Sequence, residues 1–216
     1  MKTLITGTAR GIGRATAVKF LEEGHEVVGL DVLPASVSSE NYTHIVKDVS
    51  EGILPEIAGV EVLVNNAGVL TFGERDIDVN LKAAIRVTEK YGVQKAIRAV
   101  VNVASASGST GSEFPHYAAS KGGLIAYTKN VAGRIAAFGA TCNSVSPGGV
   151  TTDMNEHILN DKALTAAVYE EALLKKWATP EEIAEWIYFI AVVNKSMTGQ
   201  DVLIDNGEAS NFNFIW

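Results

Sequence analysis

A doubly wound, open α/β fold is what this sequence predicts, and three observations predict it. Seven short runs rich in Val, Ile and Leu recur along the 216 residues, at 4–6, 27–30, 44–46, 62–64, 99–103, 141–145 and 202–204. Most are apolar throughout rather than alternating, as expected of parallel strands covered on both faces. Longer stretches with helical spacing separate them, and a glycine-rich turn joins the first run to the first helix. Strand–helix alternation of this kind implies a single parallel seven-stranded sheet with helices on both faces and right-handed crossovers.

The elements follow in order. After the first strand a helix is predicted over 12–23, closed by Gly24, a residue that adopts the left-handed C-terminal cap at no steric cost. Helical spacing returns over 76–91 and over 117–138, the second followed by Gly139. Thr179-Pro180-Glu181-Glu182 reads as an N-cap, a first-turn proline and two acids set against the helix dipole, opening a helix over 181–193. No internal repeat and no Pro/Gly/Ser-rich linker divides the chain, so residues 1–216 are expected to form one domain. Residues 147–176 are polar and helix-prone and lie beyond the carboxyl end of the sixth strand, where open α/β sheets bind ligands. They are expected to cover a site.

Charge and composition exclude several classes of function. With 18 Lys+Arg against 25 Asp+Glu, the net charge of −7 gives no basic stripe for a nucleic-acid partner. No apolar run reaches the ~18–20 residues of a membrane span. The N-terminus enters a strand pattern at once instead of a signal sequence. Cys142 stands alone and cannot form an internal disulfide, so a reducing, cytoplasmic setting is expected. The four histidines, 25, 44, 116 and 157, are scattered without a ligand motif, and no metal is expected. His116 is read as a loop residue beside Tyr117.

The glycine turn carries the first functional signal. In Thr6-Gly7-Thr8-Ala9-Arg10-Gly11-Ile12-Gly13 the glycines permit a tight turn, backbone approach to a pyrophosphate and close helix–strand packing. Asp31 ends the second strand about 20 residues on, where an acid can hydrogen-bond the adenosine ribose and repel a 2′-phosphate. NAD(H) is therefore expected over NADP(H), although Arg10, inside the turn, pulls the other way.

The spacing Gly7-x-x-x-Gly11-x-Gly13 resembles the short-chain dehydrogenase/reductase family, and the resemblance runs along nearly the whole chain. Asp48-Val49 is similar to its adenine-contacting pair, Asn65-Asn66-Ala67-Gly68 to its NNAG motif, and Asn80 to its helix asparagine. Ser105 matches its catalytic serine, and Tyr117-Ala118-Ala119-Ser120-Lys121 its YxxxK element. Pro147-Gly148, with Val150 and Thr152, resembles the loop that contacts the nicotinamide carboxamide. Thr198-Gly199-Gln200 and Asp205-Asn206-Gly207 resemble its C-terminal strand region. Two segments, between Asp48 and Gly68 and between Gly68 and Asn80, are shorter than the family's, so a helix after the third strand is expected to shrink to a turn.

The resemblance implies a Rossmann fold and an oxidoreductase with Asn80, Ser105, Tyr117 and Lys121 as catalytic residues. Tyr117 would be the acid or base at the substrate oxygen, since the ammonium of Lys121 one helical turn away favours the phenolate. Ser105 would hydrogen-bond that oxygen, with Ser107 its rival, and Asn80 would anchor a water near Lys121. Gly7, Arg10, Gly11, Ile12, Gly13, Asp31, Asp48, Val49, Asn66, Ala67, Gly68, Pro147, Gly148, Val150 and Thr152 would hold the cofactor together with Tyr117 and Lys121. The expected reaction interconverts a secondary alcohol and a ketone, in the manner of 3-oxoacyl-acyl-carrier-protein reductases or of hydroxysteroid dehydrogenases. A dinucleotide sensor that keeps the fold without catalysis is the alternative, and the retained catalytic set speaks against it. The family implies a homotetramer using the 76–91 and 117–138 helices, and the apolar tail at 212–216 adds a sticky surface.

Overall fold

The computed structural model describes residues 1–111 and 114–211. All seven expected strands form: β1 (Lys2–Thr6), β2 (Glu26–Asp31), β3 (Tyr42–Val46), β4 (Val62–Asn65), β5 (Ala99–Val103), β6 (Thr141–Pro147) and β7 (Asp201–Ile204). They build one parallel sheet in the order β3-β2-β1-β4-β5-β6-β7. The order reverses between β1 and β4, which opens a crevice at the carboxyl ends of these two strands.

Register sends alternate side chains to opposite faces. Leu4 pairs with Leu63 and Ile5 with Val64. The first pair joins the core under the helix at residues 75–92 and α5 (Pro115–Ile135), with Val87, Tyr91, Val131 and Ile135. The second joins the core under α1 (Gly11–Glu22) and α8 (Pro180–Tyr188), with Phe20, Ile183 and Ile187. The 75–92 helix is continuous but changes pitch: α2 (Arg75–Ile77), a π segment (Asp78–Ala83), α3 (Ala84–Val87) and a second π segment (Thr88–Gly92). Gly24 (φ +77) and Gly139 (φ +71) stand beyond α1 and α5 as expected. At α8, Thr179 accepts from the Glu182 amide at 3.2 Å while the Glu182 carboxylate accepts from the Thr179 amide at 2.9 Å, a full capping box.

No helix forms between β3 and β4. The segment buries only Val49, Leu54 and Val60, too little apolar surface to hold a helix on the sheet. Side chains from the end of the 75–92 helix and just beyond it satisfy its backbone instead. Lys90 Nζ donates to Leu54 O at 2.8 Å, the Tyr91 hydroxyl to Pro55 O at 2.6 Å and Gln94 Nε2 to Val60 O at 2.7 Å. Past β6 the chain forms short helices α6 (Glu156–Leu159) and α7 (Lys162–Glu171), and α4 (Ser107–Thr110) precedes α5. The apolar tail at 212–216 lies outside the described residues, and no described helix is long and apolar enough to cross a membrane.

Candidate active site

The glycine turn is tied down from the neighbouring strand. Asn66 Nδ2 donates to Thr6 O and Gly7 O, both at 3.0 Å, while the Thr6 hydroxyl accepts from the amides of Asn66 and Ala67 at 3.0 Å. Gly7 has φ +75, and a Cβ on Gly13 would overlap the Gly7 carbonyl oxygen, so α1 starts as close to β1 as the backbone permits. Arg10 is the N-cap of α1 and caps nothing with its side chain, and no acid occupies the first turn. Free amides and an uncompensated dipole therefore face the crevice, which suits an anion.

Asp31 stands at the other end of this cradle. Its carboxylate accepts from the Ala9 amide at 2.8 Å and from the Leu33 amide at 2.9 Å. Arg10 reaches away, to Asp153 at 3.8 Å, in a pair with both side chains mostly exposed. Asp48 accepts from the Ser50 amide at 2.8 Å and meets Arg75 at 3.4 Å. Burial would raise its carboxyl, but these partners together hold it below the usual range.

β5 and α5 bring the reactive groups together. Ser105 lies two residues past β5 and accepts from the Ser107 amide at 3.2 Å. Ser107 opens α4 and does not line the crevice, so Ser105 is the serine presented there. Lys121, one turn after Tyr117 on α5, is 5% exposed; its ammonium donates to Val103 O at 2.8 Å and lies 5.7 Å from the centroid of the Tyr117 ring. Burial lowers Lys121 to about 8. Burial also raises the Tyr117 phenol; Ser105 pulls it back by a hydrogen bond and Asp76 pushes it further up. In the protein alone burial thus works toward the protonated phenol, the form that can donate a proton.

Of the residues expected at the site, all but two line one crevice: the exceptions are Gly13 and Asn80. Both stand just behind its wall. Asn80 is 1% exposed within the first π segment; its carbonyl oxygen accepts from the Val69 amide at 2.8 Å, and its Nδ2 donates to Val69 O at 2.9 Å and Ser120 Oγ at 3.2 Å. A Cβ on Gly68 would come within 3.2 Å of that oxygen and 3.5 Å of the Lys121 ammonium, so this glycine admits both. His116 is exposed and sits in the first turn of α5, not in a loop, and does not line the crevice.

The far wall comes from the β6 end. Gly148 donates to Ile204 O at 3.0 Å, and Val150 bridges to Ala178, which turns the chain back over the glycine turn. Thr152 packs toward Gly11, and Asp153, Met154 and Asn155 line the crevice beside it. Sequence reasoning missed these last three, and also Lys47, Val69 and Arg75 on the opposite rim. It also missed a buried polar chain: Asn65 Nδ2 donates to Asn102 Oδ1 and Thr88 Oγ1, and Asn102 Nδ2 to Thr128 Oγ1, each at 2.8 Å. Asparagines facing each other in apolar strands were the available signal.

A glycine cradle in which Gly7 and Gly13 leave no room for a Cβ, an acid at its ribose end and a Ser/Tyr/Lys group at its other end fit a nicotinamide dinucleotide. The comparisons agree. The profile of the family described as Enoyl-(Acyl carrier protein) reductase matches residues 32–208. The 3-oxoacyl-(acyl-carrier-protein) reductase of Thermotoga maritima is 35% identical over 237 aligned residues, covering 94% of this chain and 96% of that one. A 4-hydroxyisoleucine dehydrogenase mutant complexed with NADH and succinate superposes with a TM-score of 0.88 at 26% identity, covering 99% of this chain and all of the other. A putative 2-deoxy-D-gluconate 3-dehydrogenase from Agrobacterium tumefaciens with bound NADP gives a TM-score of 0.83 at 28% identity, covering 97% and 96%. With fold, crevice and sequence in agreement, the chain belongs to the short-chain dehydrogenase/reductase family and is an NAD(P)-dependent oxidoreductase.

Proposed function

We propose that this enzyme interconverts a secondary alcohol and a ketone, prefers NAD(H) to NADP(H), and takes a 3-oxoacyl thioester as its ketone. The observation that carries the reading is the convergence of Ser105, Tyr117 and Lys121 at one end of the crevice with Asp31 at the other. The bound nicotinamide supplies or accepts the hydride. Tyr117 gives a proton to the substrate oxygen in reduction and takes it in oxidation, and its raised phenol suits the acid role. Ser105 donates a hydrogen bond to the same oxygen as charge develops there. Lys121, fixed by Val103 O, keeps a donor beside Tyr117 and serves the ribose hydroxyls. Asp31, already held by two amides, presents its remaining lone pairs to a ribose and its charge against a 2′-phosphate. The thioester is supported by the reductase from Thermotoga maritima.

Residues 147–176 serve as the cover: Asp153 meets Arg10 across the crevice and Trp177 lies against Gly149. A homotetramer completes the proposal. Trp186, Phe189 and Val193 on and beyond α8, with Leu203 on the edge strand β7, are exposed apolar side chains that a neighbouring subunit would cover. Light scattering giving a monomer mass would refute the assembly.

The test is turnover of NADH and NADPH, followed by absorbance, on a 3-oxoacyl thioester, a 3-ketosteroid and a small diketone, with Tyr117→Phe as control. The expected result is NADH oxidation on the thioester that disappears in the variant. Turnover surviving in Tyr117→Phe would overturn the assigned chemistry, and turnover only on the steroid would overturn the substrate.

A further inference from the structure

The 75–92 helix and α5 lie side by side and run in the same direction. Asn80 meets Ser120, Leu81 packs on Gly123, and Glu89 pairs with Tyr127 and Arg134. One turn before Asn80, on the same face, stands Asp76, which this register brings level with residues 116–117 of α5. Asp76 is fully buried. Its Oδ1 accepts from the Thr71 amide at 2.7 Å and the Thr71 hydroxyl at 2.8 Å, while its Oδ2 has no partner among the described residues. A buried carboxylate with an unmet oxygen is costly, and an apolar side chain would fill the same place without that cost.

We propose that Asp76 is a positioning residue of this active site: it fixes the loop at residues 69–73 through Thr71, and its carboxylate, buried level with the start of α5, holds Tyr117 in the proton-donating form over a wider pH range. The inference rests on Tyr117 being the acid–base, as assigned above. The loop it fixes follows Gly68 and includes Val69, which lines the crevice and is gripped at both backbone atoms by Asn80. Thr71 is followed by Phe72, held at φ +61 with its ring 5.1 Å, edge to face, from Phe114, three residues before Tyr117. Asp76 thus acts on both sides of the substrate position without touching it. The titratable groups bearing on Tyr117 are Lys121 from its own helix and Asp76 from α2, with exposed His116 beside it in the chain; Ser105 approaches from the β5 side as a neutral partner.

The experiment compares pH profiles of kcat/KM in both directions for the full chain, Asp76→Asn and Thr71→Val. Asp76→Asn keeps an acceptor for Thr71 and removes only the charge. It should move the alkaline limb of reduction and the acid limb of oxidation to lower pH by at least ~0.5 unit, a roughly threefold change at fixed pH. Thr71→Val loosens the loop but keeps the charge, so KM should rise while both limbs stay in place. Should the amide fail to fold, Asp76→Ser, smaller and equally neutral, serves the same measurement. Unmoved limbs in the neutral variant, or an equal shift in Thr71→Val, would overturn the proposal. Activity surviving in Tyr117→Phe would instead remove the reading beneath it.

Discussion

Lys121 donates to the main-chain oxygen of Val103 at 2.8 Å, so a lysine on α5 closes the carboxyl end of the central strand β5. The contact is fully buried, and burial lowers the ammonium to about 8. Folding therefore works against the charged form: below that value the buried charge is carried at full cost, and stability recovers as pH rises toward the unfolded lysine value of ~10.4. A charge held at such a cost for function implies that Lys121→Met abolishes turnover and yet stabilises the fold at neutral pH. Losing the bond to Val103 offsets part of the gain, leaving a net rise of about 1 kcal/mol, or roughly 2–4 °C in Tm. A calorimetric scan beside an activity assay checks this, and a lower Tm in the inactive variant would show that the lysine is structural.

Asp31 sets the cofactor preference only if its charge, rather than its two hydrogen bonds, does the reading. Asp31→Asn keeps an acceptor, but for only one of the Ala9 and Leu33 amides, whereas Asp31→Ala loses both. Either change removes the repulsion of a 2′-phosphate. The ratio of Kd for NADPH to Kd for NADH should fall at least ~tenfold in both variants, equivalent to ~1.4 kcal/mol. Fluorescence titration with each cofactor measures it. A ratio unmoved in both would assign the preference elsewhere on the rim, where Lys47 and Arg10 stand.

His25 gives the enzyme an acid limit. It packs edge-on to Phe20 at 5.3 Å and Tyr188 at 5.8 Å, and its Nδ1 is buried without a partner among the described residues. Burial lowers its pKa below the ordinary 6.5, and the nearby N-terminal charge adds to that. The folded state thus binds fewer protons than the unfolded one: this contribution to stability is complete above ~6.5 and is lost as pH falls through the folded value. Between pH ~7.5 and ~5 the parent should lose more Tm than His25→Leu does. Parallel slopes in the two proteins would place the acid sensitivity elsewhere.

Much of this molecule was legible from its residues. Apolar runs located all seven strands: the five inner ones are buried on both faces and carry no alternating polar signal that could mislead, while the partly exposed edge strands β3 and β7 showed through their Val, Ile and Leu residues. Capping chemistry placed the start of α8, where Thr179, Pro180 and Glu182 each occupy the position their side chains favour. What escaped was set by tertiary contact. Changes of helical pitch around Asn80 leave no composition signal, since the same residues suit an α-helix. Asp153, Met154 and Asn155 reach the crevice only because Val150 pairs with Ala178 and turns the chain back. Asp76 reads as an ordinary first-turn acid until the register between two helices shows what it faces.

Asn102 separates the structural layer from the chemical one. It is fully buried in β5, where it receives the Asn65 amide and donates to Thr128, linking β4, β5 and α5 beneath the crevice without entering it. Asn102→Leu nearly conserves volume but strands Asn65 Nδ2, which keeps only Thr88, and leaves the Thr128 hydroxyl with a single partner at Leu124 O. Stranded buried groups of this kind cost ~1–3 kcal/mol. For a chain of this size the loss amounts to about 2–12 °C in Tm. The crevice keeps its lining, so the Kd for NADH should stay within about twofold of the parent's, below the ~tenfold that 1.4 kcal/mol represents. Thermal melts and cofactor titration on the same preparation decide the matter. An unchanged Tm would mean that an apolar pair serves β4 and β5 equally well, whereas a lost Kd with intact Tm would make Asn102 part of the cofactor site.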